Sequence, residues 1–292
     1  MSGDAVAERA AFHMVHPGPV AERRIEWAGA RLVRLSERVD ADGESLLAAI
    51  AALADRFGIA AGTGRIAQCT LAATRFTTGG PARDGKAANY TYIREFGPGR
   101  LPWGTFSFGR TPGGAPFVHC HAMVEAGEIT EPAGGHLFPA DCPVSGAFDV
   151  ELFGLDGVDL VQQPDAETLH SVFEIGAHRP VAGPEALFVR VRPNEDLTEA
   201  VETACRAAGL TDAELGPSLG SLNAPDLMSE DGAGHALPSV GMEALCLSGS
   251  IVDGTAHLSG TLVDEAGTPF RGVLVRGHAP VCVTAEVLVI AR

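Results

Sequence analysis

Three histidines fall within one short stretch of the chain, His119-Cys120-His121 followed by Gly134-Gly135-His136. On an extended strand successive side chains point to opposite faces, so His119 and His121 project together while Cys120 points away. The glycine pair brings a third imidazole from a neighbouring segment, because glycine permits the close backbone approach that a buried ligand needs. Three neutral imidazoles with a fourth position open are the donor set of a catalytic zinc site. Zinc is the first choice, with nickel, cobalt or iron as alternatives, since selectivity depends on geometry and availability. A His-x-His pair alone is weaker evidence, because alternating strand histidines are often merely hydrogen-bonded; His136 is what strengthens it.

A metal with an open position ionises bound water near neutral pH and polarises a carbonyl or carboxylate, so a proton-transfer partner is expected nearby. Glu125 follows His121 by four and shares its face if the strand is unbroken, which makes it the candidate general base or ligand orienter. A solvated turn residue beside Gly127 is the competing reading. Asp141 is a weaker candidate of the same kind. Cys120 and Cys142 lie near the histidines in sequence, but free cysteine is commonly a small buried hydrophobe.

The elements that must position these residues occur twice. The first copy opens with an apolar strand over 30–35, then Asp42-Gly43-Glu44, then a helix over 45–57 with Leu46, Ile50, Leu53 and Phe57 at helical spacing. The second opens with a strand over 186–191, and Asn194-Glu195-Asp196 can cap a helix carrying Leu197, Val201 and Ala204. Gly62-Thr63-Gly64 and Leu219-Gly220-Ser221 fit no phosphate loop and read as strand-edge glycine. Further on, Phe117–Ala122 corresponds to Thr255–Gly260, Gly134–Leu137 to Arg271–Leu274, and Pro143-Val144 to Pro280-Val281. The second copy keeps only His257, with Ser259 and Val273 in the other two places, and reads as structural or as a site wall. The expected domains are 18–156 and 185–292, joined by a Pro-, Gly- and Asp-rich connector over 157–184. The expected fold class is α/β: two tandem copies of a compact domain, each a mainly antiparallel sheet flanked by helices.

The first copy carries an additional segment, 75–104, with Arg83, Lys86, Asn89, Tyr90, Tyr92, Arg94 and Trp103; it holds the chain's only lysine and both tyrosines. Long insertions tend to be binding loops or lids. The candidate ligands for an anionic small molecule are Arg65, Tyr90, Tyr92, Arg94 and Arg110, with arginine gripping a carboxylate as a fork. An oligomer contact rich in Tyr and Arg is the alternative.

The formal net charge is −16, from 21 basic and 37 acidic residues. That balance opposes loose association with nucleic acid, which needs clustered cations, and with anionic membrane surfaces. Residues 1–11 lack the apolar core of a secretion signal, no window approaches the roughly 20 apolar residues of a membrane span, and the six cysteines lack close pairs. A cytoplasmic protein with reduced thiols is expected. Neither Gly-x-Ser-x-Gly nor His-Glu-x-x-His occurs.

The run Phe117-Val118-His119-Cys120-His121 through Gly134-Gly135-His136-Leu137, closed by the strand over 147–152, resembles the PPC domain, shared by plants and prokaryotes and joined to AT-hooks in plant nuclear proteins. Asp42-Gly43-Glu44-Ser45-Leu46 is similar to that family's Gly-Glu-Asp-Leu segment, and Glu243-Ala244-Leu245-Cys246-Leu247-Ser248-Gly249 to its Glu-x-Leu-x-Leu-x-Gly strand. The resemblance implies a compact α/β domain that assembles as a trimer, with the histidine site near a subunit boundary. Bacterial members are labelled DNA-binding by similarity, but the Arg-Gly-Arg-Pro core of an AT-hook is absent here. The leading expectation is a zinc-dependent hydrolase or lyase acting on a small carboxylate-bearing substrate. The alternative is a DNA-associated or regulatory binding protein without catalysis.

Overall fold

The computed structural model describes residues 13–292 except 83, 128, 130, 230, 231 and 238, so Arg83 and the first twelve residues lie outside the description. The first half runs β1 (Ile25–Asp40), α1 (Leu46–Arg56), β2 (Gly62–Leu71), β3 (Thr74–Thr77), β4 (Gly79–Pro81), β5 (Ala88–Tyr90), β6 (Arg94–Phe96), β7 (Gly99–Arg110), β8 (Pro116–Ala126), β9 (Ala133–Leu137) and β10 (Ala147–Asp156). Residues 157–184 contain the antiparallel pair β11 (Val158–Pro164) and β12 (Ser171–His178). The second half runs β13 (Ala186–Val191), α2 (Leu197–Ala208), β14 (Ala213–Leu215), β15 (Ser218–Leu222), β16 (Asp226–Met228), β17 (Gly234–Ala236), β18 (Met242–Val252), β19 (Thr255–Val263), β20 (Pro269–Leu274) and β21 (Val281–Ala291).

The repeat is visible in the pairing. The first sheet runs β1-β10-β2-β7-β8-β9, and the second β13-β21-β15-β18-β19-β20, all antiparallel. His121 pairs with His136, and Ser259 with Val273, as the aligned motifs require. The bridges Ser45–Pro143 and Asp196–Pro280 also correspond. One expected correspondence shifts. Leu35 pairs with Leu152 and Asp40 with Ala147, while Ala186 pairs with Ile290 and Val191 with Ala285. Since Pro143 matches Pro280, Ala285 and Ile290 match Phe148 and Phe153, whose partners are Val39 and Arg34, so the counterpart of 186–191 is 34–39, not 30–35. The earlier part of β1, Ile25 to Ala30, pairs instead with β13 and ties the two sheets together.

The two helices carry the same code. Ser45 accepts from the Ala48 N–H at 3.1 Å, and Asp196 from the Glu199 N–H at 3.1 Å, each satisfying an orphan donor of the first turn. Leu46, Ala49, Ile50, Leu53 and Ala54 are buried in α1, matching Leu197, Ala200, Val201, Ala204 and Cys205 in α2. This i, i+3, i+4, i+7, i+8 stripe buries one face of each helix on its own sheet, and each fully buried Leu or Ile contributes roughly 1.5–3 kcal/mol. Phe57 is the C-cap of α1 and is 39% exposed, outside that stripe.

These features correct the expected α/β class. Among the described residues there are two α-helices, one per half, so each sheet has a helix on one face only. The molecule is a sheet-dominated α+β fold, because antiparallel neighbours connect through short turns and need no crossover helices. The other face of the first sheet turns toward the second half, with Phe153, Leu155, Phe188 and Leu288 in a shared apolar layer. β2 is also central, flanked by β10 and β7, so its glycines are not edge residues. A Cβ at Gly62 would lie 2.2 Å from the Phe153 carbonyl oxygen, which is the close approach that excludes a side chain there.

Beside this layer lies a buried ion network. Arg190, fully buried, meets Asp165 at 2.8 Å and Glu174 at 2.6 Å, and Arg192 meets Asp165 at 2.7 Å and Glu26 at 2.9 Å. It joins β1, β12 and β13 to the turn after β11.

Candidate metal centre

β8 separates its side chains as the alternation requires. Val118, Cys120 and Ala122 enter the core beneath α1, while His119 and His121 face the second half. β9 lies alongside β8 and presents His136 beside His121. A Cβ at Gly135 would fall 2.2 Å from the Thr77 carbonyl oxygen, so only glycine lets β9 pack this closely on β3. The ligand-capable atoms of His119, His121 and His136 all lie within 4.8 Å of one another. His119 Nε2 is 3.1 Å from His121 Nε2, which is 3.2 Å from His136 Nδ1.

The protons on these rings can be assigned from their partners. His119 Nδ1 faces the Glu286 carboxylate at 3.0 Å, and His121 Nδ1 faces the Ala244 carbonyl at 3.0 Å. Both partners only accept, so each Nδ1 carries the proton and, in the neutral ring, each Nε2 is a bare lone pair. The two lone pairs then point at each other. The Tyr90 hydroxyl, 3.1 Å from His136 Nε2, can accept that proton and leave His136 Nδ1 bare as well. Either a proton on Nε2 of a charged His119 or a cation held between the rings would relieve this convergence. Tetrahedral zinc with nitrogens at about 2.0–2.1 Å would set them about 3.3 Å apart, close to the two short spacings seen here. A carboxylate and a backbone carbonyl behind the ligating rings are the usual orienting partners.

The second half supplies the acidic side of the site. Glu286 comes from β21 and Glu243 from β18, with Glu243 Oε2 3.4 Å from His121 Nε2. Both carboxylates are buried, and Glu286 Oε2 has no hydrogen-bond partner among the described residues. Burial pushes the Glu243 carboxyl up to about 8, partly opposed by the His119 charge. Burial disfavours a charged His119 too, but the Glu286 carboxylate overrides it and leaves that imidazole raised. His121 and His136 are held well below the usual imidazole range, by burial first and then by the charge of His119.

The histidines open on a cavity of about 410 Å³ between the halves, lined also by Tyr90, Phe117, Phe138 and Phe173. A volume of that size suits a small molecule. Of the expected anion ligands, Tyr90 alone lines it. Tyr92 is 60% exposed. Arg65 pairs with Glu151 at 3.3 Å, and Arg110 engages Asp159 through Nε at 3.0 Å and Nη2 at 2.5 Å. Arg94 donates to the carbonyls of Ala266 and Glu265. These arginines are spent on local partners. Glu125 is also outside the cavity, paired with Arg100 at 3.2 Å. It shares the His121 face, but four strand residues place it about 13 Å away. Asp141 pairs with Arg75 at 2.6 Å. Cys120 and Cys142 sit in the apolar core. His257 is exposed on β19.

Glu243 and Glu286 are the site residues that sequence reasoning missed. Each is an isolated carboxylate inside an otherwise apolar strand, Met242–Leu247 and Val281–Ile290, and a buried charge in such a run requires a partner.

Among the described residues no helix is long and apolar enough to cross a membrane. No curated protein matches the chain. Seven chains of known structure do. A metal-containing protein from Archaeoglobus fulgidus is 21% identical with a TM-score of 0.37, over 52% of this chain and 99% of its own. A plant- and prokaryote-conserved protein from Pyrococcus horikoshii is 22% identical with a TM-score of 0.37, over 53% and 97%. A protein from Ralstonia eutropha JMP134, provisionally named as DNA-binding, is 19% identical with a TM-score of 0.37, over 48% and 90%. The family model of the Plants and Prokaryotes Conserved (PCC) domain matches residues 179–291, the second half of this chain.

Proposed function

We propose that this protein holds one transition-metal ion, zinc first, on His119 Nε2, His121 Nε2 and His136 Nδ1, and uses it on a small carboxylate-bearing molecule in a hydrolase- or lyase-type reaction. The observation that carries the metal reading is the convergence of His119 Nε2 and His121 Nε2 at 3.1 Å, each ring held from behind by an acceptor at its Nδ1. A bound ion would polarise a carbonyl or carboxylate oxygen and lower the pKa of water. The chain's own residues do the rest. Glu286 and the Ala244 carbonyl fix the ring orientations, and the aromatic wall limits water. Glu243, rather than Glu125, is the carboxyl in position to hold or move a proton beside the rings.

Metal analysis of protein purified without added metal tests the reading: about one equivalent is expected, and none in His119→Ala. Metal-free protein unchanged by that substitution would overturn it. Turnover on a panel of carboxylates, lactones and amides separates an enzyme from a binder.

The family match supports a second reading, a DNA-associated or regulatory protein without catalysis. The net charge of −16 speaks against it. A salt-dependent shift on duplex DNA would support it, and its absence at low salt would remove it. Assembly as a homo-oligomer, a trimer by family resemblance, belongs to the same proposal and is read by sedimentation.

A further inference from the structure

The chain contains a single lysine, Lys86, and it lines the same cavity as the three histidines. Among the described residues no arginine lines that cavity, although arginine makes up the rest of the 21 basic residues. Lys86 is 23% exposed, and its one ion pair among the described residues is with Asp84 at 4.0 Å, the outer limit of such a contact. The same Asp84 oxygen already accepts from Asn89 Nδ2 at 2.8 Å. The ammonium is therefore half-buried and only loosely neutralised. Its surroundings are cavity wall: His170 lies close enough to feel its charge and spends Nε2 on the Ala88 carbonyl at 2.8 Å.

Lys86 and the histidines share the cavity with aromatic walls. Phe117 and Phe173 meet edge to face at 5.4 Å, and Tyr90 and Phe138 at 6.2 Å, with Phe138 5.8 Å from His136. Flat faces and edges of this kind favour a planar, apolar body. The Glu286 carboxylate in the lining disfavours a second free carboxylate on the ligand, since like charges at short range repel.

We propose that the cavity takes a small monocarboxylate with a flat apolar body, its carboxylate on the Lys86 ammonium and its far end toward His119, His121 and His136. This deepens the function proposed above and rests on it only at the metal end. Lysine suits the task as a compact point charge that needs no bidentate geometry.

Benzoate is the probe, with benzamide as its neutral isostere. Calorimetry on metal-analysed protein is expected to show benzoate binding at least about tenfold more tightly than benzamide, roughly the 1.4 kcal/mol of one charged contact. Lys86→Met is expected to bring benzoate down to the benzamide level with metal content unchanged. Should that variant fail to fold, wild-type protein still gives the answer. Reductive methylation of its sole ε-amino group, read by mass spectrometry, is expected to slow in benzoate and not in benzamide. Equal binding of the two probes, unaltered benzoate binding by a folded Lys86→Met, or no protection of Lys86 overturns the inference. Metal-free protein in which benzoate still protects Lys86 overturns the metal reading and supports this one.

Discussion

His119 Nδ1 lies 3.0 Å from Glu286 Oε1, although the two residues are 167 positions apart. A histidine of the candidate metal centre on the first half is thus oriented by a carboxylate on the second. Outer-sphere carboxylates of this kind fix the tautomer and raise ligand basicity, and losing one typically weakens metal binding 10–100-fold. Glu286→Gln is expected to lower zinc affinity by about that factor in competition with a chromophoric chelator, while the His119→Ala variant binds none. Wild-type affinity in Glu286→Gln would show that the second half does not tune the site.

This contact also marks where sequence reading stops. The faces of β8 were legible because strand alternation is local, and the helix stripes because a 3.6-residue period is local. The counterpart of 186–191 was misplaced because β1 is 16 residues of alternating apolar character, and only pairing reveals which part meets β10. Glu243 and Glu286 showed only as charges in apolar strands, since their partners come from another sheet. The arginines 65, 94 and 110 looked available for an anion because their local acceptors, Glu151, the 265–266 carbonyls and Asp159, are brought up by folding.

The two glycines before His136 are expected to differ in cost. A Cβ at Gly135 would meet the Thr77 carbonyl oxygen at 2.2 Å, and backbone cannot yield without disturbing β3. A Cβ at Gly134 would meet Leu245 Cδ1 at 2.5 Å, the far end of a side chain, and the Ala122 carbonyl oxygen at 2.9 Å, a milder backbone approach than the one at Gly135. Overpacking costs about 1–3 kcal/mol. Gly135→Ala is expected at the top of that range with loss of metal, and Gly134→Ala lower with metal retained. Urea denaturation and metal analysis of both variants check the order, and equal behaviour would contradict it.

Glu125→Ala is expected to leave metal content unchanged and stability within about 0.5 kcal/mol. Its only described ion pair, with Arg100, is between side chains 59% and 44% exposed, where solvent screens most of the attraction. Chemical denaturation and metal analysis test this. Loss of metal in Glu125→Ala would restore that residue to the site.

Asp165 is expected to set the acid limit of the fold. Burial alone would raise its carboxyl, but the Thr168 N–H and the Arg190 guanidinium reverse that and hold it well below the usual carboxylate range. A depressed folded value means that the unfolded chain takes up the proton first. The stability from Asp165 is thus fully present above the unfolded value of about 3.9 and is lost as the pH falls from there toward the folded value. Asp165→Asn leaves fully buried Arg190 short of a countercharge, and breaking one side of a buried pair costs about 3–5 kcal/mol. Urea midpoints at pH 7 and at pH 3 or below distinguish the cases. The gap between wild type and variant is expected to be widest at pH 7 and to close in acid, because protonation removes from wild type what the substitution removed already. A gap that persists unchanged at low pH would mean that Asp165 stabilises the junction by packing, not by charge.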